Sequence, residues 1–256
     1  MHGGGDRGTP VMMVCLLIMR VEDLGGKEIA SLERWAELYA NPRQSRHWKQ
    51  HRSAYSVAEF VLEHNGGEVI QERLSEALKQ NIRLERAIPE YEVRFDQYGR
   101  GRVHDLGVFG LTDSGQSVFV GVEAKVDESF GPSVKDVYLA AKAKQIAGVS
   151  TNAPARIEQL LSRHFKSPEP ALSDIRYQLL YATAGTLAVE ADLHVLYVIV
   201  FQTPLYNEKI GAENYRDYID FMEKVGAKRL SLASKRAVGH ALDIEGQELM
   251  CLHEYF

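Results

Sequence analysis

The chain has 256 residues, 45% of them hydrophobic and 25% charged, with a formal net charge of -5, the composition of a soluble globular protein long enough for one large α/β core. That charge excludes a dedicated nucleic-acid coat, but not an enzyme with a local basic groove beside an acidic metal site. Cys15 and Cys251 stand in apolar runs at opposite ends of the chain, which excludes a disulfide framework or a CxxC metal site and fits buried free thiols in a reducing cytoplasm.

In chain order, residues 1–10 are glycine-rich and polar and read as a disordered tail, leaving 11–256 as a single domain. The apolar run from Val11 to Met19 is too short to span a bilayer and lacks a small-residue cleavage site, so no membrane or targeting segment is expected. Ser31 to Tyr39 has helical spacing, with Leu32, Trp35, Ala36 and Tyr39 on one stripe, Ser31 as cap and Asn41-Pro42 as stop. The next stretch, from Arg43 to Arg52, is the most basic and aromatic in the chain. Arg46, Trp48, Lys49 and Arg52 there offer phosphate contacts and a stacking surface, or form a solvated loop anchored by the tryptophan. A helix from Val57 to His64 stops at Asn65-Gly66-Gly67, and a second runs from Glu68 to Ile82, turning Ile70, Leu74, Leu78 and Ile82 toward the core and Glu68, Glu72 and Glu76 along another stripe. Tyr91, Val93 and Phe95 alternate with charged residues as in a half-buried strand. Tyr98 to Arg102 then reads as a flexible basic turn, with Arg100 and Arg102 either holding phosphate or simply solvated.

Two strand-like runs follow, Val103 to Leu111 and Val118 to Lys125, around the turn residues Thr112 to Gln116. If the hairpin is symmetric about Ser114, facing residue numbers sum to 228 and Asp105 stands opposite Glu123. Glu123 and Lys125, two apart, leave the same face of the strand, an expensive place for charge unless the groups find each other, a metal or a ligand. Two facing carboxylates repel without a cation between them, and Mg²⁺, which prefers oxygen and needs few protein ligands, suits them. The plainer meaning is a charge cluster that only holds the hairpin.

Helices are expected over Val134 to Ile146 and Pro154 to Phe165, the second carrying Arg156 and Arg163. A helix from Ser173 to Ala191 places Gln178 and Tyr181 on a shared face, sets Arg176 well round from Gln178, and has small residues, Ala184, Gly185 and Ala188, for close packing on a sheet. Leu193 to Phe201 reads as a central strand buried on both sides. A helix from Tyr215 to Val225 closes at Gly226, and the tail from Leu230 to Phe256 suggests short strands about Glu245-Gly246. No internal repeat and no Walker-type or Rossmann-type glycine loop is present.

Asp105 followed 18 positions later by Glu123-Ala124-Lys125, with His104-Asp105 where Pro-Asp is common, resembles the signature of the PD-(D/E)xK, restriction-endonuclease-like nucleases. The segments EAKVDESFG from Glu123, RYQLL from Arg176 and AGTL from Ala184 are similar to a group of uncharacterised bacterial proteins, over about residues 30–225. The resemblance implies an α/β fold with a restriction-endonuclease-like core at about residues 57–203, a mixed central β-sheet flanked by helices in the order α-β-β-β-α-β, with additional helices and a C-terminal extension. It implies a metal-dependent phosphodiesterase cleaving DNA, with RNA as the alternative polymer, and Mg²⁺ or Mn²⁺ on Asp105, Glu123 and the Ala124 carbonyl. Lys125 would orient the attacking water, Gln178 and Tyr181 would position water or phosphate, and Glu128 would support the site. Arg46, Trp48, Lys49, Arg52, Arg100, Arg102 and Arg156 are the candidate nucleic-acid contacts. One departure stands out: Gln178 and Tyr181 give Q-x-x-Y where nucleases that process DNA ends have Q-x-x-x-Y. Two other functions stay open, a catalytically silent nuclease-fold binding or regulatory protein and a hydrolase of a small phosphorylated substrate. Oligomeric state is open too, a homodimer included.

Overall fold

The computed structural model describes residues 19–41, 45–166 and 174–256. The expected tail at 1–10, the thiol of Cys15, Pro42, Arg43 and the expected helix start at Ser173 lie outside these residues. The described chain forms strands β1 (Arg20–Val21), β2 (Ile82–Val93), β3 (Arg102–Thr112), β4 (Ser117–Lys125), β5 (Leu193–Val200), β6 (Lys228–Leu230), β7 (Ala237–Ile244) and β8 (Gln247–Tyr255). Its helices are α1 (Leu32–Ala36), α2 (Ser53–Glu63), α3 (Gly66–Leu78), α4 (Val134–Ile146), α5 (Ala153–His164), α6 (Tyr177–Leu187) and α7 (Glu208–Lys224). The strands make one eight-stranded mixed sheet in the order β1-β2-β3-β4-β5-β8-β7-β6, parallel at β1/β2, β4/β5 and β5/β8.

β5 explains the layering. Its residues are buried on both faces: Val195, Tyr197 and Ile199 join Trp35, Val57, Ile70 and Leu74 of α1 to α3, while Leu196, Val198 and Val200 join Ile157, Leu179 and Tyr218 of α5 to α7. The sheet is therefore covered on both sides, as a near-continuous apolar central strand requires. Cys251 of β8 is a buried free thiol whose pKa burial pushes up.

Several boundaries differ from the sequence expectation, and three of them have a local reason. The helix expected to reach Ile82 stops at Leu78, where Lys79 turns left-handed (φ 54). Ile82 instead opens β2, its N–H and that of Leu84 donated to the Ser75 hydroxyl and the Gln71 side-chain oxygen of α3. β2 thus starts well before Tyr91, and its period-2 pattern was obscured by a bulge between Leu84 and Arg86. Finally, α6 begins at Tyr177 because Arg176 is extended and bridges Ser133, with Val134 and Tyr177 N–H groups bonded across to Ile175 and Pro132. That bridge ties the loop leaving β4 to the first turn of α6.

The hairpin register follows the expected sum. Six pairs, from Leu106↔Val122 to Leu111↔Ser117, each add to 228 about a turn in which Gly115 takes φ 84. Pairing stops one step short of Asp105 and Glu123. There the Asp105 carboxylate turns aside to accept the Ala124 N–H at 2.7 Å.

Candidate active site

The opening of the β3/β4 ladder coincides with a reversal of β3. Leu106 and Val108 lie in the core under α1 to α3, yet Arg102 and His104, also even-numbered, lie against α6. Regular alternation would put all four on one face. The break falls at Asp105, opposite Glu90, which takes a left-handed φ of 50 between the pairs Pro89↔Leu106 and Tyr91↔His104. Such conformations are costly for a non-glycine residue and are concentrated at functional sites. The reversal brings Arg102 onto the face of Glu123.

Room for these side chains comes from two glycines. A Cβ on Gly121 would stand 2.5 Å from the His104 ring, and one on Gly185 would stand 2.7 Å from the Arg102 Cβ. Gly185→Ala should therefore lose about 1–3 kcal/mol by overpacking, despite alanine's higher helix propensity. Urea titration measures it, and a gain in midpoint would contradict this packing.

A cleft of about 390 Å³ opens beyond the C-terminal end of β4, lined among others by Asp105, Glu123, Lys125, Glu128, Gln178 and Tyr181. Lys125 Nζ lies 2.9 Å from Glu123 Oε1 and donates to Gln178 Oε1 at 3.1 Å, while Gln178 Nε2 donates to the same Glu123 oxygen at 2.6 Å. Arg102 is ion-paired with Glu123 Oε2 and its guanidinium faces the Tyr181 ring, 5.3 Å from the centroid. Glu128 accepts the N–H groups of Val126 and Asp127 at 3.2 and 3.0 Å, fixing the turn after Lys125.

Burial dominates the electrostatics. It raises the pKa of Asp105 against the lowering charges of Arg102 and Lys125, and lowers that of Lys125 against the raising charges of Asp105 and Glu128. For Glu128 burial acts upward, but the Ser53 hydrogen bond and the Lys125 charge outweigh it and the pKa falls. Glu90 is pushed up to about 7, by burial first and then by Asp105, while Tyr39 donates to it at 2.5 Å. A carboxyl that titrates higher when folded binds more protons in the native state. Its stabilising contribution is then full below its ordinary value of 4.5 and lost as pH rises through about 7. Glu90→Gln should accordingly raise Tm relative to wild type at pH 8 in EDTA and give no such gain at pH 4; an equal effect at both pH values would contradict the assignment.

The other expected residues are distributed as follows. The basic stretch borders the cleft: His47 and Ser53 line it, and Arg52 pairs with Asp127 at 3.4 Å. Arg46 and Lys49 are exposed, whereas Trp48 is stacked on Tyr39 with 5.2 Å between centroids and tilted against Tyr55. Arg100 is exposed beside Glu92, and Arg156 clamps the loop before β3 by bonding Asp96 at 2.7 Å and the Arg100 carbonyl at 3.0 Å. Arg102 belongs to β3 and not to the flexible turn expected at 98–102. Glu68, Glu72 and Glu76 lie outside the cleft lining. Arg176 bonds Asp217 and the Gly131 carbonyl, away from Gln178.

Sequence reasoning missed Glu90, Ser53 and Tyr177. Pro89 was the available signal for the first, since proline inside a strand marks an edge or irregularity, and β1 pairs β2 only at Arg86 and Ala87.

The oxygen donors fit a hard divalent cation in kind. Asp105 and Glu123 supply carboxylates, and the Ala124 carbonyl leaves the same strand edge as the N–H that Asp105 accepts. Among the described residues no three His, Cys, Asp or Glu side chains form a ready-made cage, but Mg²⁺ commonly takes one or two carboxylates and fills its sphere with water and phosphate.

An α/β domain with a three-carboxylate, one-lysine cleft at a strand end is the class of protein that fold and site define. By sequence, the chain belongs to the family described as a domain of unknown function, DUF6946, whose model matches residues 28–253. No curated protein and no solved structure matches the chain significantly. No described helix is long and apolar enough to cross a membrane.

Proposed function

We propose that this chain is a metal-dependent phosphodiesterase acting on DNA, with the cleft beyond β4 as its active site. The observation that carries the reading is the convergence of Asp105, Glu123 and Lys125, with Gln178 bonded to both of the last two. The element order α3-β2-β3-β4-α6-β5, with α4 and α5 inserted before α6, supports a restriction-endonuclease-like core.

Asp105, Glu123 and the Ala124 carbonyl would hold Mg²⁺ or Mn²⁺, which when bound supplies a water of lowered pKa and neutralises charge on the scissile phosphate. Lys125 is a compact cation whose proton burial loosens; it orients the attacking water and offsets charge developing on the phosphorane. Gln178 holds Lys125 and Glu123 in register, and Tyr181 supplies a wall and a hydroxyl for a phosphate oxygen. The exposed Arg46 and Lys49, on either side of the cleft-lining His47, favour a polymer over a small phosphorylated substrate, because these two cations extend positive charge away from the reacting centre.

A nuclease-fold module that binds without turnover is the second reading, favoured by the engagement of both Glu123 oxygens by basic or amide groups. Incubating the protein with plasmid, single-stranded DNA and RNA separates the two. Cleavage that needs Mg²⁺ or Mn²⁺ and stops with EDTA is expected, strongest on DNA. Absence of cleavage of all three across a range of salt would select the silent module.

A further inference from the structure

The Arg102 side chain is only 8% exposed, and its Nε has no hydrogen-bond partner. Burying a guanidinium is strongly unfavourable unless a well-placed partner compensates the lost hydration. That partner is Glu123, whose Oε1 is already held by Lys125 and Gln178. The oxygen in contact with Arg102, Oε2, is therefore the one a metal ion would have to take.

Several features of the fold exist to seat this arginine. The reversal at Asp105 turns it toward Glu123, Gly185 leaves space for its stem, and the Tyr181 ring faces its guanidinium. Its charge also acts on Asp105 and Glu90, so it has carboxylates to turn to when Glu123 is withdrawn.

Resting on the metal-site reading above, we propose that Arg102 is a built-in counter-cation that competes with the divalent ion for Glu123. It neutralises the carboxylate before metal binds and yields it on binding, so that the affinity of the site for metal is set by an internal residue. Competition of this kind is a coupling free energy between two ligands of one group, and such couplings commonly amount to 5–150-fold.

The test is calorimetric titration of Mn²⁺ into wild type, Arg102→Gln and Arg102→Lys, with Tm recorded with and without the ion. Arg102→Gln should bind Mn²⁺ roughly tenfold or more tightly than wild type, and its Tm should rise more on adding the ion. Arg102→Lys, with a single ammonium in place of the planar fork, should fall between them. Equal or weaker binding in Arg102→Gln would overturn the proposal and leave Arg102 a structural partner. Should that variant fail to fold, Arg102→Lys decides alone: affinity equal to wild type overturns it. No Mn²⁺ binding by wild type would instead remove the metal-site reading, a distinct failure that takes this inference with it.

Discussion

Lys125→Met is expected to lower cleavage by roughly 10²–10³-fold, the scale of losing one preorganised charge at a reacting centre, while leaving Mn²⁺ binding intact. Methionine keeps the stem packed near the Phe130 ring, which lies 5.2 Å from the ammonium. Glu123 keeps its ion pair with Arg102 and its hydrogen bond from Gln178. Folding should accordingly be preserved, and Tm should stay close to that of wild type. A variant that cleaves at the wild-type rate would mean that Lys125 serves only to neutralise Glu123.

Glu123→Ala should have the largest effect on stability of any single change in the cleft. It leaves Arg102 and Lys125, both nearly inaccessible to solvent, without the one carboxylate that both of them contact directly. Breaking a buried pair in this way costs about 3–5 kcal/mol, a fall in Tm of roughly 10 °C or more for a chain of this length. Guanidinium unfolding of Glu123→Ala beside Lys125→Met measures the contrast. If both variants were equally stable, the buried cluster would not be the electrostatic keystone of the β4 end.

Much of this architecture could be read from the residues because it rests on local periodicity. The hairpin register was set by turn chemistry between two alternating runs, and all six observed pairs keep the sum that Ser114 implies. The common face of Glu123 and Lys125 follows from strand geometry alone, and that of Gln178 and Tyr181 from helix geometry. What could not be read was non-local. Asp105 leaves the ladder to bond Ala124, and β3 reverses its faces opposite a left-handed Glu90. A period-2 reading carries no information on such a break. The sequence therefore reads Arg102 as part of a flexible turn, holding phosphate or solvated, although the reversal buries it against Glu123. Trp48 illustrates the same limit on the basic stretch, since only tertiary packing places Tyr39 beneath its ring.

Whether Asp105 and Glu123 hold a metal ion is tested most directly by Mn²⁺ titration into wild type and Asp105→Asn. Asparagine keeps an oxygen to accept the Ala124 N–H, so the β4 end stays formed while one ligand charge is lost. Binding by wild type that disappears in Asp105→Asn is the predicted result. Equal binding by both proteins, or none by either, would contradict the site.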